Sequence, residues 1–298
     1  MPRPVTVLVA GATGRQGGAV ARRLLERGHH VRAFTRHPAG GAARALQAAG
    51  AEIRAGDLGD PTSVRHAARG TDALFLVTDP REHGVSGEIR LAALASQAAR
   101  EAGVRQVVYS SMAGANRETG VPQHDSKAAA ELFIRELGLP YTIVAPTFFM
   151  ENLLEPPSLR CLRAGWLWLP LPPGRAVQVV TVQDLARLVV LALERPAAFC
   201  DRRLEIAGDE LSPAQMAMAL SAVSGTAIGH TLRHVPGGEE PDEPTPRMFE
   251  WLAEVGFDVD LRALHRSYPE VGWHDFVGWA RGQDWSVLDE ASPDQPTA

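Results

Sequence analysis

Six short apolar runs rich in β-branched residues alternate with Ala/Leu/Arg-rich helical stretches through the first half of the chain. The runs are Val5–Ala10, Val31–Thr35, Glu52–Ala55, Ala73–Val77, Gln106–Ser110 and Tyr141–Ala145. Helices are predicted between them over 17–27, 42–49, 61–68, 87–102 and 126–137. Parallel strands need a crossover long enough to pass over the sheet, so this alternation predicts a parallel sheet covered by helices. The punctuation agrees with it. Gly28, Gly50, Gly70, Gly103 and Gly138 each follow a helical stretch, where a left-handed residue closes the helix. Asp60-Pro61 places a capping carboxylate before a proline at the first helical position. The expected fold class is α/β, with a doubly wound parallel sheet.

After Pro146 the rhythm breaks, and residues 155–174 are rich in Pro, Leu and Trp. A helix over 182–194 and a strand over 203–207 are expected to return to the sheet. Ser212 is expected to cap a helix running to about Val223, and a final helix is predicted over 273–281. The acidic, proline-rich stretch 236–246 reads as an exposed loop, and residues from 286 onward as a disordered tail. Residues 1–150 therefore read as one domain and 151–285 as a small C-terminal cap built from non-contiguous segments. At 298 residues, with 45% hydrophobic and 22% charged, the composition is that of a folded globular chain. A net charge of −5 argues against a nucleic-acid surface, which needs a basic excess. No run approaches the roughly 20 apolar residues of a membrane span, and the first strand is too short for a signal-peptide core. The expected location is cytoplasmic. Cys161 and Cys200 sit in no metal or redox spacing.

The first strand ends in Gly11-Ala12-Thr13-Gly14-Arg15-Gln16-Gly17, and a helix follows. Three spaced glycines alone mean only tight turns. Between a strand and a helix that lead to a second parallel strand, they form the phosphate cradle of a Rossmann dinucleotide fold. Backbone amides at the helix start face the pyrophosphate, where the macrodipole also favours an anion. In NAD-selective chains a carboxylate at the end of the second strand takes the adenosine ribose hydroxyls. Here that place is Thr35-Arg36-His37. A guanidinium binds a 2′-phosphate through paired hydrogen bonds, so Arg36, with Arg15 as a second contact, points to NADP(H), and NAD(H) is the alternative.

The segments VLVAGATGRQGGAV, GAEIRAGDLGD, ALFLVTDP, AGVRQVVYSSMAG, VPQHDSKAAAELFIRELGLPYTIVAPTFFMENLL and TVQDLARLVV follow one another over about residues 4–195. In that order they resemble the NmrA-like family of atypical short-chain dehydrogenase/reductases, and VGWHDFVGWARGQDW resembles its C-terminal aromatic helix. The resemblance implies cofactor contacts at Gly11 to Gln16 and at Arg36. It further implies Asp57 and Leu58 beside the adenine, Thr78, Asp79 and Pro80 near the ribose and pyrophosphate, and Lys127 on the nicotinamide ribose. Phe149, Met150, Glu151 and Asn152 would line the nicotinamide side. Plain alternatives stand beside these: Asp57 capping its own turn, Thr78 to Pro80 turning the chain, and Phe148 and Phe149 as ordinary core.

Standard short-chain dehydrogenases carry Tyr-x-x-x-Lys on one helix face, where the lysine lowers the phenol pKa for proton exchange. This chain has Lys127, but Gln123 stands four residues before it, and a carboxamide does not titrate. His124, three residues before Lys127, is a candidate proton donor, or else a surface histidine at a helix start. Ser110 and Ser111 lie at the carboxyl edge of the sheet, as candidate donors or as turn residues. Two readings follow. The missing tyrosine puts first an NADP(H)-binding redox sensor that presents a surface to a regulatory protein partner. The second is an NADPH-dependent reductase of a quinone or similar carbonyl acceptor. An apolar wall of Phe148, Phe149, Trp166, Leu167 and Trp168 motivates it, although that wall could equally be core or a homodimer contact.

Overall fold

The computed structural model describes residues 3–233 and 244–288. In chain order the elements are β1 (Thr6–Ala10), α1 (Arg15–Glu26), β2 (His30–Thr35), α2 (Gly41–Ala48), β3 (Glu52–Ala55), α3 (Pro61–Ala68), β4 (Ala73–Val77), α4 (Pro80–Glu101), β5 (Gln106–Ser110), α5 (Pro122–Glu136) and β6 (Tyr141–Pro146). There follow β7 (Phe148–Phe149), α6 (Pro156–Arg163), β8 (Trp166–Trp168), β9 (Val177–Val180), α7 (Val182–Glu194), α8 (Pro196–Phe199) and β10 (Arg202–Ile206). The last are β11 (Asp209–Leu211), α9 (Pro213–Ser224), β12 (Gly229–Thr231), α10 (Pro244–Glu254), α11 (Leu261–Ser267) and α12 (Phe276–Arg281).

The chain divides into two units, one of residues 1–146 with 182–206 and one of 147–181 with 207–298. The first carries a seven-stranded sheet in the order β10-β6-β5-β4-β1-β2-β3, every pair parallel. This is the expected doubly wound α/β sheet. Strand alternation sorts its side chains onto two faces. Leu8, Leu74, Leu76, Val107, Tyr109 and Ile143 pack in one buried cluster with Val64, Ala67, Ala92, Ala95, Ala99, Ala130 and Ile134 from α3, α4 and α5. Alanines on α4 let that helix lie close to the sheet. Asp60 caps α3 by accepting from the Thr62 N–H at 2.9 Å, as its place before Pro61 predicts.

Four expectations change. α4 starts at Pro80, seven residues earlier than predicted, because it joins two helices across a kink at Gly84 (φ 67°, ψ 173°). α5 starts at Pro122, since proline at the first helical position needs no N–H partner; Gln123 and His124 thus lie in its first turn. In the second unit, part of the predicted loop 236–246 opens α10 at Pro244, while residues 234–243 lie outside those described. The start of the predicted tail is also ordered. Residues Trp285–Leu288 form a 3-10 turn, where the Trp285 ring packs edge-on to Trp279 and its Nε1–H donates to the Ala280 carbonyl at 2.8 Å. Residues 289–298 lie outside those described.

The second unit contains a three-stranded sheet, β11-β9-β7, and the parallel pair β12-β8. Its α9 begins with a capping box in which Ser212 and Gln215 satisfy each other's backbone N–H groups. The residues of the expected aromatic wall fall in two different sheets. Phe148 and Phe149 belong to β7, whereas Trp166, Leu167 and Trp168 alternate along β8. Leu167 is buried, Trp166 is 45% exposed, and Trp168 meets the Phe249 ring edge-on. Among the described residues no helix is long and apolar enough to cross a membrane.

Candidate functional site

β1 lies between β2 and β4, so the crossovers from β1 and β4 leave in opposite directions and the sheet order reverses between these strands. The glycine turn sits at the carboxyl end of β1, at that reversal. Gly11 has φ 66°, a left-handed conformation that a side chain makes costly. A Cβ on Gly17 would fall 2.2 Å from the Gly11 carbonyl oxygen, so only glycine lets α1 begin against the end of β1. Gly14 caps α1 in extended conformation with no side-chain cap, and the first turn holds no acid. The positive end of the helix dipole therefore meets no competing carboxylate. These residues fit a dinucleotide pyrophosphate. Ala12 is buried beneath the turn, and Thr13 Oγ1 lies 3.3 Å from Thr35 Oγ1, which ties the turn to the end of β2. Arg15 and Arg36 are both exposed, Arg36 immediately after β2.

Asp57 folds into its own turn, its Oδ1 accepting from the Gly59 N–H at 2.6 Å, and Leu58 packs against the core cluster. Asp79 follows Thr78 after β4, and Pro80 opens α4. Phe149 ends β7, while Met150, Glu151 and Asn152 begin a 3-10 turn of the second unit, with Met150 buried.

Lys127 is buried, and its ammonium spends its three donors inside the protein. Nζ donates to the Thr78 carbonyl at 2.8 Å, to Glu88 Oε1 at 2.8 Å and to the Ser110 carbonyl at 3.3 Å. It also lies 5.1 Å from the centroid of the Tyr109 ring. Glu88, wholly buried on α4, accepts from Thr78 Oγ1 at 2.9 Å and from Ser126 Oγ. Thr78 Oγ1 in turn lies 3.2 Å from the Tyr109 hydroxyl. Burial alone would push Lys127 down, but the Tyr109 phenol and the Glu88 carboxylate act the other way and the ammonium ends above its usual range. Burial also raises Tyr109, so at neutral pH the phenol is neutral, and Glu88 is the carboxylate that faces the ammonium. Ser110 closes the link to the glycine turn, its Oγ donating to Gln16 Oε1 at 2.6 Å.

The other sequence candidates lie in a second polar cluster. His124 is fully buried, contrary to the surface alternative, with Nδ1 3.0 Å from Thr119 Oγ1. Burial, helped by Arg117 and Arg203 against Glu205, lowers it to about 4, so it is neutral at pH 7. Ser111 Oγ donates to Glu131, a carboxylate that Arg203 Nε also holds at 3.1 and 3.0 Å. Arg203 bridges onward to Glu205 at 2.7 Å. Sequence reading found Lys127 and missed Glu88, Thr78's bond to it, Tyr109 and Glu131. One available signal pointed at this place. Lys127 is the only lysine in the chain, beside 29 arginines.

A doubly wound parallel sheet with a glycine turn where its strand order reverses defines the Rossmann class of α/β proteins. Within that class, the sequence profile of the NmrA-like family matches residues 4–239, and the chain belongs to that family. The NAD(P)H azoreductase of Xenophilus azovorans is 33% identical over 224 residues, 74% of this chain and 75% of that protein. The (4-alkanoyl-5-oxo-2,5-dihydrofuran-3-yl)methyl phosphate reductase of Streptomyces griseus is 35% identical over 270 residues, 88% of this chain and 82% of that one. Among solved structures, NmrA, a negative transcriptional regulator, in complex with NADP is similar with a TM-score of 0.77. At 22% identity over 95% of this chain and 99% of that one, this likeness is one of fold.

Proposed function

We propose that this protein binds NADP(H) at the turn 11–17 and reduces an acceptor that takes its proton from solvent, a quinone or an azo compound. The observation that carries the binding is the uncapped, acid-free start of α1 behind Gly14. Gly11 to Gly17 would hold the pyrophosphate, Arg36 and Arg15 the 2′-phosphate, and Lys127 the nicotinamide ribose. The bound nicotinamide would supply a hydride. The chain's own groups explain the kind of acceptor. Position 123 is a glutamine, Tyr109 is wholly buried with its hydroxyl against Thr78 and its pKa raised by burial, His124 is neutral at pH 7, and the Ser111 proton is committed to Glu131. None of these groups is a general acid at neutral pH. Two relatives at about a third identity, an NAD(P)H azoreductase and a (4-alkanoyl-5-oxo-2,5-dihydrofuran-3-yl)methyl phosphate reductase, support putting this reading first.

The second reading is a redox sensor, favoured by the same engagement of every candidate proton donor and by the likeness in fold to a transcriptional regulator. NADPH consumption against quinones, azo dyes and aldehydes separates the two. Turnover of a quinone or azo dye that Lys127→Ala abolishes is the expected outcome. Tight NADPH binding without turnover of any acceptor, together with cofactor-dependent capture of a protein partner, would overturn the reductase reading in favour of the sensor.

A further inference from the structure

The chain uses arginine at every cationic position except one, and that exception is enclosed. Around Lys127 Nζ stand two backbone carbonyls, from Thr78 and Ser110, and one carboxylate, from Glu88. A planar guanidinium cannot aim three donors into so compact a cage, whereas an ammonium can. The two walls of the cage come from strand ends on the ligand edge of the sheet, β4 and β5. Its charge comes from α4, and Glu88 is held there in turn by Thr78 and Ser126.

We infer that Glu88 is a positioning residue, the fixed counter-ion that keeps Lys127 protonated and aimed at the cofactor edge of β4 and β5. The inference rests on the proposed dinucleotide site. It goes beyond that site in giving the lysine's charge and direction to a residue on another element, 39 positions away in sequence. In this arrangement the positive charge that would acidify a phenol at position 123 is already matched, which is consistent with glutamine there. Glu88 from α4 and Tyr109 from β5 are the ionisable groups that act on Lys127, and Thr78 and Ser126 face the pair with neutral hydroxyls. Of the two, Glu88 is the ion-pair partner of the ammonium. Removing its charge leaves an ammonium in a buried site, where desolvation drives the amine toward its neutral form. The weaker of the two backbone contacts is that to the Ser110 carbonyl, at 3.3 Å against 2.8 Å to Thr78. It is the one a ligand hydroxyl can replace without unmaking the ion pair.

A single lysine makes the test direct. Full-length protein labelled with ¹³C at lysine Cε gives one side-chain resonance, that of Lys127. In the unaltered protein this resonance is expected to stay at its protonated position from pH 6 to 9.5. In Glu88→Gln it is expected to titrate within that range, a downward shift of at least about two pH units. NADPH affinity should follow: flat with pH in the unaltered protein, and about tenfold weaker at pH 9 than at pH 6.5 in Glu88→Gln. The conservative variant Glu88→Asp retains the charge at a different reach. It should keep the resonance flat while weakening NADPH binding at every pH, and it serves as well if Glu88→Gln does not fold. A flat Lys127 resonance in Glu88→Gln, or a titrating one in Glu88→Asp, would overturn the inference. Absence of NADPH binding by the unaltered protein would instead overturn the proposed cofactor site, with the lysine titration still deciding what Glu88 does to Lys127.

Discussion

Helix α5 carries two buried charges one turn apart, Lys127 and Glu131, and they are treated in opposite ways. At i, i+4 spacing a lysine and a glutamate ordinarily pair with each other. Here each turns to a different neighbour. Lys127 meets one carboxylate and two backbone carbonyls in a compact cage at the ends of β4 and β5. Glu131 meets Nε of Arg203 from β10 with both its oxygens, with Arg135 and Ser111 at its sides. The first cluster is built on a point charge with backbone walls at the ligand edge. The second is built on one guanidinium that divides its donors, Nε to Glu131, Nη1 to Glu205 and Nη2 to the Met112 carbonyl, and so fastens an edge strand. Similar burial on one helix thus serves two purposes, and the difference lies in what surrounds each charge.

The second cluster predicts the largest effect. Glu131→Ala leaves the Arg203 guanidinium, 12% exposed, with its Nε–H unpaired beside Glu205 and the Met112 carbonyl, and should cost about 3–5 kcal/mol in urea unfolding. A loss below about 1 kcal/mol would erase the contrast between the clusters. The glycine turn supplies a control without charge. Gly17→Ala drives a Cβ to 2.2 Å from the Gly11 carbonyl oxygen, and about 3 kcal/mol of destabilisation is expected, with NADPH binding lost alongside. Unchanged thermal stability would mean that α1 can shift at no cost. His124, in the first turn of α5, adds a pH dependence. The unfolded chain protonates near 6.5 and the folded chain only near 4. Stability held above pH 6.5 is therefore lost as pH falls toward 4, by about 3 kcal/mol at the limit, with about half gone near pH 5. His124→Asn should flatten that slope, and an unaltered slope in the variant would assign the loss to other groups. The smallest effect is expected at exposed Arg36. Arg36→Glu should weaken NADPH binding at least tenfold more than NADH binding, about 1.4 kcal/mol. Equal losses would remove Arg36 as a reader of the 2′-phosphate.

Much of the sheet was legible because its signals are local. Asp60-Pro61, the β-branched apolar runs and the glycines after helices each act within a few residues of where they stand. The same holds for the glycine turn and for Lys127, whose motif is contiguous. Glu88 was not legible, because although it falls inside the predicted helix 87–102 it enters the site only when α4 packs on α5. Arg203 lies 72 residues from Glu131 and meets it only through the pairing of β10 with β6. The burial of His124 depended on α5 starting at Pro122 and not four residues later. Composition held one long-range hint, since a lone lysine among arginines marks a place where the shape of the cation matters.

The pairing of β10 with β6 also bears on how the chain reaches its fold. The first six strands of the sheet are contiguous in sequence, but the seventh arrives only after residues 147–181 have passed into the other unit. Closing so long a loop places this pairing among the non-local, slow contacts of the molecule. During synthesis, a chain that has reached Pro146 therefore has β6 as an open edge and Glu131 without Arg203. Such an edge recruits other strands. Fragments ending near residue 146 should aggregate, and those extending past Ile206 should not, so the last strand of the sheet is also its guard against self-association.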